Sequence, residues 1–225
     1  MKHPKSFLTG VMTLLLIFLI NTAMAVNVSI KVEDSKGNPL PGVTMHAFKP
    51  NTGGYNFPGA TDVNGMITGN LPWSGNGIVF TARYDKSSKA MTANVLASGN
   101  ANPLLTFQTV LAVIEVKDCN TGAMVPTDKV DYFVSNSGGG VLTQTSTGHF
   151  EKELFPGSYR FRAYLQKTVA IDYSVDIAPT GVDHTFNPVL VDLNYSGSVS
   201  FFVPNAGTCH LNGPTYIFPG TYNLK

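Results

Sequence analysis

Metal binding and acid–base catalysis both need side chains that converge, and the candidates in this chain are scattered. His46, His149, His184 and His210 lie far apart, with no pair at a metal-binding spacing. Asp62-Val63-Asn64-Gly65 offers two oxygen ligands, but an EF-type calcium loop needs a third before its glycine and a glutamate beyond. It is expected to be a hairpin turn. Ser137-Gly138-Gly139-Gly140 lacks the strand-to-helix setting of a phosphate loop and reads as a flexible hairpin tip. No Gly-x-Ser-x-Gly elbow occurs. Asp34 and Asp62 are turn residues, and Asp172 and Asp176 share one face of a strand. No carboxylate pair is therefore set across a cleft, as glycoside hydrolysis requires. The expectation is a protein that is not an enzyme, with no cofactor and no metal.

Binding chemistry has more to work with. Tyr55, Phe57 and Trp73 lie in turn-rich stretches, where aromatic faces can stack on a sugar ring or anchor a surface protein. Packing at the end of a core is the competing role for Trp73. Arg160, Arg162 and Tyr164 form an outward stripe that an acidic partner could meet. A nucleic acid is not expected, because a net charge of +1 leaves nothing to neutralise many phosphates.

The elements that must hold these residues are strands. Val26, Val28, Ile30 and Val32 alternate with Asn27, Ser29, Lys31 and Glu33, giving one buried and one wet face. Tyr159, Phe161 and Ala163 repeat the device, as do Val169, Ile171, Tyr173, Val175 and Ile177. No later window shows sustained helical spacing. The chain of 225 residues carries 22 Gly and 14 Pro, and these interrupt the apolar runs at short intervals. That pattern predicts an all-β fold of antiparallel sandwiches.

The pattern also repeats. Asp34 to Gly65 and Asp118 to Gly148 span nearly the same distance, and a leucine follows each glycine at the same offset, Leu71 and Leu154. Phe155-Pro156-Gly157-Ser158-Tyr159 is echoed by Phe218-Pro219-Gly220-Thr221-Tyr222. Phe107-Gln108-Thr109-Val110-Leu111 is answered by Phe186-Asn187-Pro188-Val189-Leu190. The expected organisation is a sandwich over 26–108, a second over 109–187, and a partial third unit over 188–225 packed on the second.

Residues 1–25 read as a secretory signal peptide. Lys2 and Lys5 precede an apolar run from Val11 to Ile20, and Ala23-Met24-Ala25 closes it, so cleavage is expected after Ala25. A spanning helix would need about 20 apolar residues, and no later run approaches that. Export to an oxidising compartment would let Cys119 and Cys209 join, with two free thiols as the alternative.

Val32-Glu33-Asp34-Ser35-Lys36-Gly37-Asn38-Pro39-Leu40-Pro41-Gly42-Val43, then Thr61-Asp62-Val63-Asn64-Gly65, then the Leu-Pro or Phe-Pro-Gly-Ser-Tyr step, resembles bacterial prealbumin-like repeats. Carboxypeptidase regulatory-like and CnaB-type modules belong to that group. The resemblance implies a secreted or surface-displayed protein whose modules serve as stalks, adhesive segments or glycan-binding accessories. CnaB-type modules often carry a Lys-to-Asn isopeptide bond. Lys31 stands where that lysine would lie, but Arg160, Phe161 and Arg162 occupy the stretch that should supply the promoting carboxylate. Three functions follow as expectations: a structural or adhesive module, a carbohydrate-binding accessory, or an envelope component that accepts a strand from a partner. The expected location is extracellular, at the cell surface or in the periplasm.

Overall fold

The computed structural model describes residues 25–97, 99–165, 168–191, 199–203, 207–211, 214–218 and 223–224. The expected signal peptide, 1–25, falls outside them, apart from Ala25. Every regular element among the described residues is a strand.

Unit one contains β1 (Val26–Glu33), β2 (Thr44–Lys49), β3 (Gly53–Asn56), β4 (Met66–Leu71), β5 (Gly75–Tyr84), β6 (Ser87–Val95) and β7 (Leu105–Gln108). They form two sheets, ordered β4-β1-β7 and β3-β2-β5-β6. In β1 the alternation does what the sequence predicts: Val26, Val28, Ile30 and Val32 are buried, and Asn27 is exposed. Lys31 lies outside the core and pairs with Glu33 at 2.7 Å.

Unit two contains β8 (Val110–Val116), β9 (Lys129–Val134), β10 (Gly138–Val141), β11 (Thr143–Ser146), β12 (His149–Leu154), β13 (Gly157–Leu165), β14 (Thr168–Ile177) and β15 (Val182–Phe186). Its sheets are ordered β11-β12-β8-β15 and β10-β9-β13-β14. This is the strand order of unit one with β11 added at an edge. The pairing is antiparallel throughout both units except between first and last strands, where β7 lies parallel to β1 and β15 parallel to β8. Alternation marks a strand but carries no direction, so these parallel pairs were not visible in the sequence.

Beyond Pro188, β16 (Val189–Val191) pairs with β19 (Thr215–Ile217), and β17 (Val199–Val203) lies between β18 (Gly207–Leu211) and β20 (Asn223–Leu224).

The turns are built as their residues dictate. Asp34 accepts the amides of Lys36 and Asn38, each at 2.8 Å, and Asp62 accepts those of Asn64 and Met66 at 2.8 and 2.9 Å. Asp118 does the same for Asn120 and Thr121. Gly65 and Gly148 both have φ near the left-handed region, +68° and +67°. The carbonyl of Gly65 accepts the amide of Val32, and that of Gly148 accepts the amide of Val116.

One expectation is corrected. Gly138, Gly139 and Gly140 are not a free hairpin tip but part of edge strand β10, paired with Val134, Phe133 and Tyr132 of β9. A Cβ on Gly139 would lie 2.9 Å from the Phe133 ring, and one on Gly140 2.7 Å from the Tyr132 ring. The glycines make room for aromatics on the neighbouring strand.

Two apolar clusters fill the sandwiches. The first joins Val28, Ile30, Val43, Ile78, Phe80 and Phe107, and the second Ile114, Val130, Tyr132, Phe150, Phe161 and Phe186. Each also takes in a phenylalanine from further along the chain. Phe155 of unit two is fully buried in the first cluster, and Phe218 lies buried in the second.

Candidate functional site

The three aromatics singled out for binding all pack on the core of unit one, to different depths. Phe57 is only 5% exposed, while Tyr55 and Trp73 are partly buried against the same cluster. Gly69 on β4 creates the space, since a Cβ there would meet Phe57 Cδ1 at 2.6 Å and Tyr55 Cε1 at 3.0 Å. The Tyr55 and Phe57 rings meet edge to face, 5.3 Å between centroids and 78° between planes. The Tyr55 hydroxyl accepts the amide of Asn70 at 3.2 Å. A flat stacking platform for a sugar would need parallel, open rings, and Tyr55 and Phe57 do not supply one.

Phe57 also borders a cleft of about 460 Å³ on unit one, lined by Thr44, Met45, His46, Asn56, Gly59 and Arg83. Its lining mixes hydrogen-bonding side chains, Thr44, His46, Asn56 and Arg83, with the apolar Met45 and Phe57. That chemistry suits a polar, uncharged or anionic ligand. Sequence reasoning missed His46, Asn56 and Arg83 as neighbours, because cross-strand register brings them together: His46 faces Asn56 on β3, and Arg83 faces Thr44.

The arginine stripe is largely satisfied within the protein. Arg162 makes a two-pronged bond to Asp172, Nε to Oδ1 at 2.6 Å and Nη2 to Oδ2 at 2.8 Å. The guanidinium holds the Asp172 carboxyl below its usual range. Arg160 lies over the Phe133 ring at 4.6 Å, and Lys129 over the Tyr164 ring at 4.4 Å.

Among the described residues no group of three or more His, Cys, Asp or Glu side chains could hold a metal ion. His149 does touch two carboxylates, but through opposite ring nitrogens: Nδ1 lies 3.3 Å from Glu115 and Nε2 2.9 Å from Glu151. The three therefore do not converge on one point. The Glu151 bond, with help from Glu115, raises the His149 pKa.

A denser polar cluster lies where the two units meet, and no motif announced it. The Glu153 carboxylate at the end of β12 accepts the Ser35 amide at 3.1 Å, the Ser35 hydroxyl at 2.5 Å and the Thr109 hydroxyl at 2.6 Å. Lys152 reaches Asp85, in the β5–β6 turn, at 3.0 Å. The Phe155 amide donates to Ser87 Oγ at 3.3 Å, and the Tyr159 hydroxyl donates to the Phe155 carbonyl at 2.6 Å. Burial pushes the Tyr159 phenol up to about 12. The partners on unit one, Ser35, Asp85 and Ser87, lie at one end of its strands, and Thr109 is the connection beside them. Beside them a cleft of about 350 Å³ is bordered by Asp34, Lys36, Tyr84, Leu111, Glu151 and Lys152.

Cys119 is exposed and has no disulfide partner among the described residues, and its amide donates to the Pro188 carbonyl at 3.0 Å. The Cys209 side chain lies outside those described.

No family model and no curated protein matches the chain. Several solved structures match at low similarity. The minor pilin GBS52 of Streptococcus agalactiae is 12% identical over 72% of this chain and 95% of its own, with a TM-score of 0.40. The shaft pilin SpaA of Lactobacillus rhamnosus GG is 12% identical over 72% and 96%, with a TM-score of 0.30. The Bacillus anthracis TIE protein is 12% identical over 90% of this chain, with a TM-score of 0.31; the match spans 45% of that protein's length.

Proposed function

We propose that this chain is an exported, non-catalytic structural or adhesive module, working at the cell surface or in the surrounding medium. The observation that carries this reading is the joint between the two sandwiches. One end of unit one is bonded through Ser35, Asp85 and Ser87 to Glu153, Lys152 and Phe155 of unit two, and Thr109 in the connection bonds the same Glu153. Phe155 also lies in the core of unit one. A hinge between freely moving domains has few such contacts, whereas an extended spacer needs them. Tandem prealbumin-like units would give such a spacer its length, and surface proteins or glycans would be its partners.

Antibody labelling of intact cells of the source organism, set against fractionated culture, tests the location. Surface or medium labelling supports the reading, and a cytoplasmic signal rejects it. Adhesion of cells lacking the chain to protein-coated and glycan-coated surfaces tests the role.

A second reading, glycan capture, is favoured by the cleft of His46, Asn56, Phe57 and Arg83. A glycan array probed with the mature chain and with Arg83→Ala and Trp73→Ala separates the two. A signal lost with Arg83→Ala but kept with Trp73→Ala would place the sugar in that cleft rather than on the tryptophan.

A further inference from the structure

Phe155 and Phe218 occupy equivalent places in two successive joints. Leu154, fully buried, ends β12 and is followed by Phe155; Ile217 ends β19 and is followed by Phe218. Both phenylalanines stand first in the Phe-Pro-Gly echo. Phe155 lies in the core of unit one with its ring 6.5 Å from Phe107, at 74°. Phe218 lies in the core of unit two with its ring 6.1 Å from Phe186, at 63°. Phe107 and Phe186 are equivalent in turn: each lies in the last, parallel strand of its unit, opposite Val32 and Val116. The two joints thus repeat the same edge-to-face ring pair between the same two strand positions.

From this we infer that the end of each unit is a socket for the Phe-Pro-Gly phenylalanine of the module that follows, so that each core is completed by the next unit. The socket of unit one takes more than a ring. Ser87 Oγ, itself donating to the Tyr84 carbonyl at 2.8 Å, accepts the amide of Phe155. A residue seated there must supply an aromatic side chain and a free N–H.

The coupling is directional. In unit one the position after the buried Leu71, which ends β4, is held by Pro72, and Pro72 is exposed. Proline has neither the ring nor the N–H that Phe155 uses. Unit one therefore offers a socket but no plug. This inference rests on the packing alone and stands whether or not the chain works at a surface.

The test is hydrogen exchange, read peptide by peptide, on the full mature chain carrying Phe155→Ala or Phe218→Ala. Emptying a phenylalanine site in a packed core costs enough to speed exchange about a hundredfold or more in the strands around it. Phe155→Ala is expected to deprotect β1, β5 and β7 of unit one, although the altered residue belongs to unit two. Phe218→Ala should deprotect β8 and β15 and leave unit one unchanged. Protection lost only in the unit that carries the substitution would overturn the proposal. If Phe155→Ala does not yield folded protein, Phe155→Leu keeps most of the volume and should give a loss of about tenfold in the same unit-one strands. Unit-one strands unaltered by Phe155→Leu would also overturn it.

Discussion

The hydroxyl of Thr109, the single residue between the last strand of unit one and the first of unit two, lies 2.6 Å from Glu153 Oε2. The same carboxylate holds Ser35, so one side chain bonds both the connection and a turn of the preceding unit. Hydrogen bonds to a partly buried charge contribute about 1.5–3 kcal/mol. Glu153→Ala is expected to lower stability by about that amount, read as a fall in the denaturation midpoint. Cleavage near Thr109 by a nonspecific protease should speed up. Glu153→Gln retains one acceptor oxygen and should lose less. Equal midpoints for wild type and Glu153→Ala would remove the clasp from the account.

Gly65 and Gly148 provide a second, paired prediction. A Cβ on Gly65 would stand 2.4 Å from the Val32 carbonyl oxygen, and one on Gly148 2.8 Å from that of Val116. Backbone cannot yield as a flexible side chain can, and both residues have positive φ. Gly65→Ala and Gly148→Ala should each cost more than about 2 kcal/mol, whereas Gly37→Ala, with positive φ but open space around it, should cost about 1 kcal/mol. Chemical denaturation of the three variants ranks them. Gly37→Ala proving as costly as Gly65→Ala would show that strain in φ, not the close approach to Val32, sets the effect.

His149 and His184 should respond to pH in opposite senses. The bond to Glu151, with Glu115 on the other ring nitrogen, raises the folded-state pKa of His149. Its contribution is therefore fully present below the ordinary histidine value of about 6.5 and is lost as pH rises through the higher folded value. Burial lowers the His184 pKa, its ring stacked on Tyr173 with 3.5 Å between centroids. That contribution is present above about 6.5 and lost as pH falls through the lower folded value. The denaturation midpoint of His149→Gln should fall below wild type at about pH 5.5 and converge with it at about pH 9. A constant difference across that range would mean that the ring acts only by packing.

Cys119 and Cys209 give a chemical test of the oxidising compartment. Cys119 is exposed and its backbone is bonded to Pro188, at the entry to the last segment. If the chain is exported as proposed, protein recovered from the source organism under thiol-blocking conditions should carry no label on either cysteine and should gain two hydrogens in mass on reduction. Both thiols labelled without reductant would leave the last segment held by packing, with Phe218 as its anchor.

The sequence was legible wherever burial alternates or a side chain must bond its own backbone. Val26 to Val32 and Tyr159 to Ala163 stood out by alternation, and Asp34 and Asp62 by the glycines that follow them. The edge strands did not. Thr143–Ser146 of β11 is exposed at every position, so it has no apolar residue to alternate. Gly138–Gly140 of β10 depends on Phe133 and Tyr132, which belong to another strand. The joint was hidden for a different reason. Ser35, Asp85, Thr109 and Glu153 are ordinary polar residues one by one in the sequence, and only long-range pairing makes them a cluster. The Phe-Pro-Gly echo was visible as a repeat, but not that its phenylalanine belongs to the neighbour's core.

The parallel pairing of β7 with β1 and of β15 with β8 decides how a unit meets tension. The chain enters unit one along β1 and leaves it along β7, and these strands lie side by side in the same direction. Pulling entry and exit apart slides the two strands past one another, so their ladder bonds bear load together instead of parting in sequence like a peeled hairpin. Unit two has the same layout, and a stretched chain would resist by shear at both units.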